Sequence, residues 1–174
     1  MKLGKFTRIH LTGASGSGTT TLGKALSEKS QFHFIDADDH FWQPTIPPYQ
    51  LKESRENRLK SILKNIKSTD HSIVSGSVVD WGDELELSFD LVIFLSIPNQ
   101  VRIDRLKKRE IERYGVINEE FIAWADLYET GGLEVRSRKL HEFWLEKIKC
   151  PVLKLEGDIS TNTRIDEILK FVRK

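Results

Sequence analysis

The sequence predicts an α/β fold of three layers, a five-stranded parallel sheet flanked by helices. Two observations carry this expectation. Short apolar runs bounded by turn residues alternate along the whole chain with stretches of helical apolar spacing, as successive βαβ units require. A length of 174 residues suits one domain that buries about two-thirds of its unfolded surface.

Taken in order, FTRIHLTG (Phe6 to Gly13) reads as the first strand, and Thr19 to Ser30 as the helix after it, with Leu22, Ala25 and Leu26 turned inward. FHFID reads as the second strand, ending at Asp36. Pro44, Pro47 and Pro48 then impose a loop, because each removes a backbone donor and fixes its φ. Leu59, Ile62, Leu63 and Ile66 stand at helical spacing and predict an amphipathic helix from Leu51 to Lys67; HSIVSGS follows as the third strand. FDLVIFLSIP is the most continuous apolar run and hence the most buried strand, with Pro98 opening the next helix. CPVLKLEG is the last strand, and Ile165, Ile168, Leu169 and Val172 give the closing helix its inward stripe. The expected single domain, 1–174, divides into a core (1–37, 70–100 and 148–174) and two insertions, 38–69 and 101–147.

Composition excludes more than it identifies. With 39% apolar residues, 30% charged residues and a formal net charge of +1, the chain has no global pull toward nucleic acid or membrane, and neither partner is expected. Any anion affinity must be local. Cys150 is the sole cysteine, so no internal disulfide can form, and its setting before Pro151 reads as core. The apolar run near Met1 is too short for a signal peptide, and no stretch approaches the ~20 apolar residues of a membrane span, so a cytoplasmic location is expected.

The chemistry concentrates in TGASGSGTTT, Thr12 to Thr21. Gly13, Gly18 and Thr20 fit G-x-x-x-x-G-K-[ST] between a predicted strand and a predicted helix, but Thr19 stands where the motif has lysine. The glycines let the backbone of Gly13, Ala14, Ser15, Gly16, Ser17, Gly18, Thr19, Thr20 and Thr21 turn its N–H groups onto one anion, at a helix N-terminus whose dipole favours it. Thr20 supplies a hydroxyl for Mg²⁺, and ATP is the nucleotide expected. Thr19 can donate a hydrogen bond but offsets no charge, and Lys24 lies more than a helical turn away from the phosphates.

FIDADDH forms a second constellation, since ligands in open α/β sheets sit beyond the carboxyl ends of the strands. Of Asp36 and Asp38, one can hold Mg²⁺ and the other accept a hydroxyl proton. Asp39 reads equally as a cap for the next segment. His40 has no second His or Cys at ligand spacing, which argues against zinc.

On these residues the chain resembles, over essentially its whole length, the P-loop nucleoside and small-molecule kinases, the group that includes adenylate, cytidylate, shikimate and gluconate kinases. The resemblance implies the P-loop NTPase fold, with 38–69 as an acceptor-binding insertion and 101–147 as a lid. FIDADD looks like the F-x-D-x-D of shikimate kinases, which implies Asp36 for the metal and Asp38 for the acceptor. SRENR falls where those kinases carry an acceptor-binding arginine, which implies Arg55 or Arg58; IVSGSVVDWG falls where they carry a glycine triplet, of which Gly76 is kept. GSGTTT is similar to the loops of some archaeal cytidylate kinases. DADDHFWQPTIPPY, SGSVVDWGD, RLKKREIERYG and RSRKLHEFW together resemble bacterial adenylate-kinase-like proteins.

On a helix from Pro98, Arg102, Arg105, Arg109 and Arg113 share a face roughly 80° wide. Related kinases hinge their lid here and swing arginines over the phosphates, which implies catalytic roles for Arg105 and Arg109. The resemblance likewise implies Arg136 or Arg138 for the acceptor, beyond a hinge at Gly131 and Gly132, and a loop at Glu156 to Ser160 that closes over adenine. Phe121, Trp124 and Tyr128 read as lid packing, and Phe41, Trp42, Tyr49 and Trp81 as walls of an acceptor pocket. The expected function is ATP- and Mg²⁺-dependent phosphotransfer to a small-molecule acceptor, a nucleoside monophosphate or an anionic hydroxylated metabolite. A catalytically silent nucleotide-binding protein is the alternative, with Thr19 its chief argument.

Overall fold

Five parallel strands, β1 (Arg8–Gly13), β2 (His33–Asp36), β3 (Ser72–Ser75), β4 (Leu91–Ser96) and β5 (Val152–Glu156), pair in the order β2-β3-β1-β4-β5. The structure is a computed structural model that describes residues 1–46, 50–134 and 136–173; Pro47, Pro48 and Tyr49, named above in the loop and the acceptor wall, lie outside the described residues. Every residue of β3, and Leu91 through Leu95 of β4, is buried, which is why these strands read as unbroken apolar runs rather than as alternations.

Among the described residues eight helices accompany the sheet: α1 (Thr19–Ser30), α2 (Asp38–Phe41), α3 (Arg55–Lys67), α4 (Asp83–Glu86), α5 (Asn99–Tyr114), α6 (Glu119–Asp126), α7 (Arg138–Lys147) and α8 (Thr161–Val172). Leu22 and Leu26 of α1 and Ile165 and Ile168 of α8 pack with Ile9, Leu11 and Ile93 on one side of the sheet. Ile62 and Ile66 of α3, Leu85 of α4 and Trp144 of α7 pack with Val74, Val92 and Phe94 on the other. The three layers expected from the sequence are these.

Two of the boundaries that shift do so for a clear local reason. β1 starts at Arg8, where the Asp90 carboxylate takes the backbone donors at the strand's entry, accepting from the Thr7 N–H at 2.7 Å and the Arg8 N–H at 3.1 Å. α3 starts at Arg55, not Leu51. Ser54 caps it by accepting from the Asn57 N–H at 3.1 Å, while Lys52 pairs with Trp42 in an antiparallel bridge that holds the preceding residues extended.

Two fully buried histidines tie the layers together. His10 stacks on Phe89 at 4.7 Å and contacts the Val74 carbonyl through Nδ1, while His141 lies between Ser77 Oγ (3.0 Å from Nε2) and the Tyr128 hydroxyl (2.8 Å from Nδ1). Burial lowers the first from 6.5 to about 4 and the second to about 3. Both are therefore neutral in the fold. Their contribution to stability is complete above pH 6.5 and is lost as pH falls toward 4, with a limiting slope of about 1.4 kcal/mol per pH unit for each group. Urea unfolding of the wild type from pH 7 to 4.5 should show this loss, and His141→Gln should flatten it; an unchanged slope in the variant would exclude His141 as its source.

Candidate active site

The loop between β1 and α1 owes its shape to close backbone approaches. A Cβ at Gly13 would lie 2.6 Å from the Leu95 carbonyl oxygen, and Gly18 caps α1 with φ 93°, a conformation glycine adopts without penalty. Among the described residues, the backbone N–H groups of Gly16, Gly18, Thr19 and Thr20 find no protein acceptor. Ser17 N–H alone turns back within the loop, to the Ala14 carbonyl at 3.0 Å. A run of unpaired donors at a helix N-terminus is the donor set that phosphate oxygens satisfy, so these residues fit a nucleotide polyphosphate.

Two buried arginines hold the loop from outside. Arg102 of α5, 1% exposed, donates from Nη1 to the Ser15 carbonyl at 2.9 Å and also reaches Asn99, with Glu129 3.8 Å away. Arg164 of α8, 3% exposed, donates from Nη1 to the Ser17 carbonyl at 3.0 Å and from Nη2 to the Gly157 carbonyl at 3.4 Å. Arg102 thus leaves the row to which its spacing assigned it, because its face of α5 packs under the loop. Arg164 escaped the sequence reading, although it stands one turn before Ile168 on the margin of the inward stripe.

The carboxylates divide their surroundings. Thr20 Oγ1 donates to Asp36 Oδ2 at 3.2 Å, and the Asp38 N–H donates to Asp36 Oδ1 at 3.1 Å. Burial pushes the Asp36 carboxyl above its ordinary range, and the charges of Asp38 and Asp39 add to the rise, against the two hydrogen bonds. A hard cation would relieve that cost. Thr20 and Asp36 offer two oxygens, which fits Mg²⁺, an ion that keeps several waters and completes its shell with phosphate. Asp38 and Asp39 are exposed on α2, and His40 Nδ1 contacts Ser61 Oγ at 2.8 Å. Gly76, at the end of β3, packs where a Cβ would meet that of Ala37 at 3.0 Å, and so lets the segment carrying Asp36 and Asp38 close against β3.

Arg58 lies 5.1 Å from the Phe41 ring and 5.0 Å from the Trp81 ring, and Arg136 lies 6.0 Å from both Phe41 and Trp124. Among the described residues neither is in an ion pair. Burial lowers both guanidiniums; Arg55 and Arg136 lower Arg58 further, while Asp38 acts to raise Arg136. Trp81, expected as an open wall, is 2% exposed and belongs to the core. Arg55 is exposed.

Arg138, Arg105 and Arg109 have protein partners. Arg138 grips Glu129 with Nε and Nη2 at 2.6 and 3.1 Å and donates to Ser96 Oγ at 3.1 Å. Arg105 pairs with Asp158 in the loop after β5, and Arg109 lies over Phe121 at 5.7 Å.

Comparison with known proteins places this geometry. A family model described as an AAA domain matches residues 9–122. "Uncharacterized protein YqaC" of Bacillus subtilis is 42% identical over 174 residues, spanning 94% of this chain and 96% of the relative. An adenylate kinase isoenzyme 6 homolog from Caenorhabditis elegans is 32% identical over 126 residues, spanning 62% of each chain. Among solved structures, shikimate kinase from Acinetobacter baumannii in complex with shikimate matches with a TM-score of 0.62 and 18% identity, covering 97% of this chain and 93% of that one. At that identity the match speaks for the five-stranded fold alone. No described helix is long and apolar enough to cross a membrane.

Proposed function

We propose that this chain, which belongs to the AAA domain family and resembles the P-loop nucleoside and small-molecule kinases, transfers the γ-phosphoryl group of ATP to a small anionic hydroxylated acceptor. One observation carries the reading. At the carboxyl ends of β1, β2 and β3 a loop of unpaired donors meets a carboxylate bonded to Thr20, with two guanidiniums that lack ion-pair partners among the described residues, Arg136 in the field of Asp38 and Arg58 beside Phe41 and Trp81.

Bound ATP with Mg²⁺ supplies the transferable group and a neutralising charge. The chain would position them: the loop N–H groups and the α1 dipole would hold the phosphates, and Thr20 with Asp36 would hold the cation. Asp38 takes the proton of the acceptor hydroxyl as its oxygen bonds to phosphorus and the bond to the leaving diphosphate breaks. Arg58 and Arg136 hold the acceptor's anionic group.

The aromatic surroundings favour a compact acceptor over a nucleobase. Phe41 already faces Lys52, Arg58 and Arg136, and Trp81 is buried. Thr19 supports the second reading, a silent nucleotide-binding protein. ADP release from ATP and Mg²⁺ should be measured across small hydroxy acids and nucleoside monophosphates, beside direct ATP titration. Turnover with a hydroxy acid is the expected result. Turnover with monophosphates alone would reassign the acceptor, and ATP binding without turnover on either panel would favour the silent binder.

A further inference from the structure

Arg164 carries a buried charge with no carboxylate of its own: Asp158 acts on it from beyond ion-pair distance but is paired with Arg105, whose like charge works against it. Among the described residues no carboxylate lies within ion-pair distance of it, and its Nε has no partner. Arg102 differs, since Glu129 and Asn99 attend it. Burying a cation without a partner is costly, and an anion arriving nearby would offset that cost.

The peptide geometry says where such an anion would sit. A trans peptide is planar, so pinning the Ser17 carbonyl with Arg164 turns the Gly18 N–H to the opposite side, away from the guanidinium. Arg102 does the same to the peptide joining Ser15 and Gly16. Both freed N–H groups lack protein acceptors, and a cation on the carbonyl side polarises the peptide and strengthens the donor. Arg164 is also close to the loop itself, with Nη1 3.2 Å from the position of a Cβ on Gly18.

We propose that Arg164 is a positioning residue that supplies, from behind the loop, the positive charge that Thr19 does not supply within it. This rests on the reading that the loop binds nucleotide phosphate. Arg164 acts through the Ser17–Gly18 peptide, and the ligand class it serves is a polyphosphate, with or without a nucleoside attached.

The test uses inorganic tripolyphosphate and ATP with Mg²⁺ as calorimetric probes of the full chain. Arg164→Gln keeps a donor for the Ser17 carbonyl but removes the charge, and should weaken both probes by roughly 10- to 100-fold. Arg164→Lys keeps the charge and should stay close to wild type. The deciding variant is Thr19→Lys in the Arg164→Gln background, because a lysine inside the loop should recover the lost affinity if charge was what was lost. Failure of that rescue in a chain with native circular dichroism would make Arg164 structural and overturn the proposal, as would unchanged affinity in Arg164→Gln. If Arg164→Gln does not fold, Arg164→Lys decides: loss of tripolyphosphate binding there, with the charge retained, also overturns it. Absence of binding by the wild type would instead remove the nucleotide-loop reading.

Discussion

Asparagine in place of Asp38 should lower kcat by roughly 10²- to 10⁴-fold while leaving the Kd for ATP at its wild-type value. Asp36 faces Thr20 and the loop, whereas Asp38 is exposed on α2 and interacts with Arg136 across the acceptor side. On the proposed function the proton acceptor and the metal ligand would be separate carboxylates, so removing the first should spare nucleotide binding. Steady-state kinetics with the acceptor found on the panel, paired with ATP titration, reads both quantities. A variant that turns over within a few-fold of wild type would remove Asp38 from the chemistry; loss of ATP binding in a folded variant would move it to the metal.

Replacing Arg58 by methionine should raise KM for the acceptor by roughly 10²- to 10³-fold, the scale of a truncated charge pair. Its effect on stability should have the opposite sign. Burial and the like charges of Arg55 and Arg136 lower the Arg58 guanidinium, which nonetheless stays charged at neutral pH, so the empty fold bears a cost that methionine relieves. Arg136→Met should behave alike in KM. A variant with unchanged KM, or one whose thermal midpoint falls sharply, would mark Arg58 as a packing residue held by Phe41 and Trp81.

Most of the fold could be read from local patterns, since α1 runs from Thr19 to Ser30 as its spacing implied and the five strands fall inside the five apolar runs. The α3 boundary failed on turn chemistry: the Ser54 cap was visible in the sequence, but apolar Leu51 drew the helix too far back. Site placement failed where partners are distant. Periodicity put Arg102 among outward arginines, because nothing near it in sequence reveals that its acceptor is a carbonyl 87 residues away. Trp81 looked like a pocket wall for the same reason, as its burial depends on α3 and α7 covering that side of the sheet. The Ser77, His141 and Tyr128 chain joins three separate segments and leaves no periodic trace.

The two clamps also order events in time. The loop is translated before its clamps, since Arg102 comes from 87 residues downstream of Ser15 and Arg164 from 147 residues downstream of Ser17. Contacts at such separations close late, after the helices that carry them have found the sheet. A growing chain can therefore pair β1 with β3 and form α1 without fixing the Ser15 and Ser17 peptides. On the proposed function the loop would become competent only when α8 has docked, so ATP would be captured by chains whose clamps are closed and passed over by those whose clamps are open.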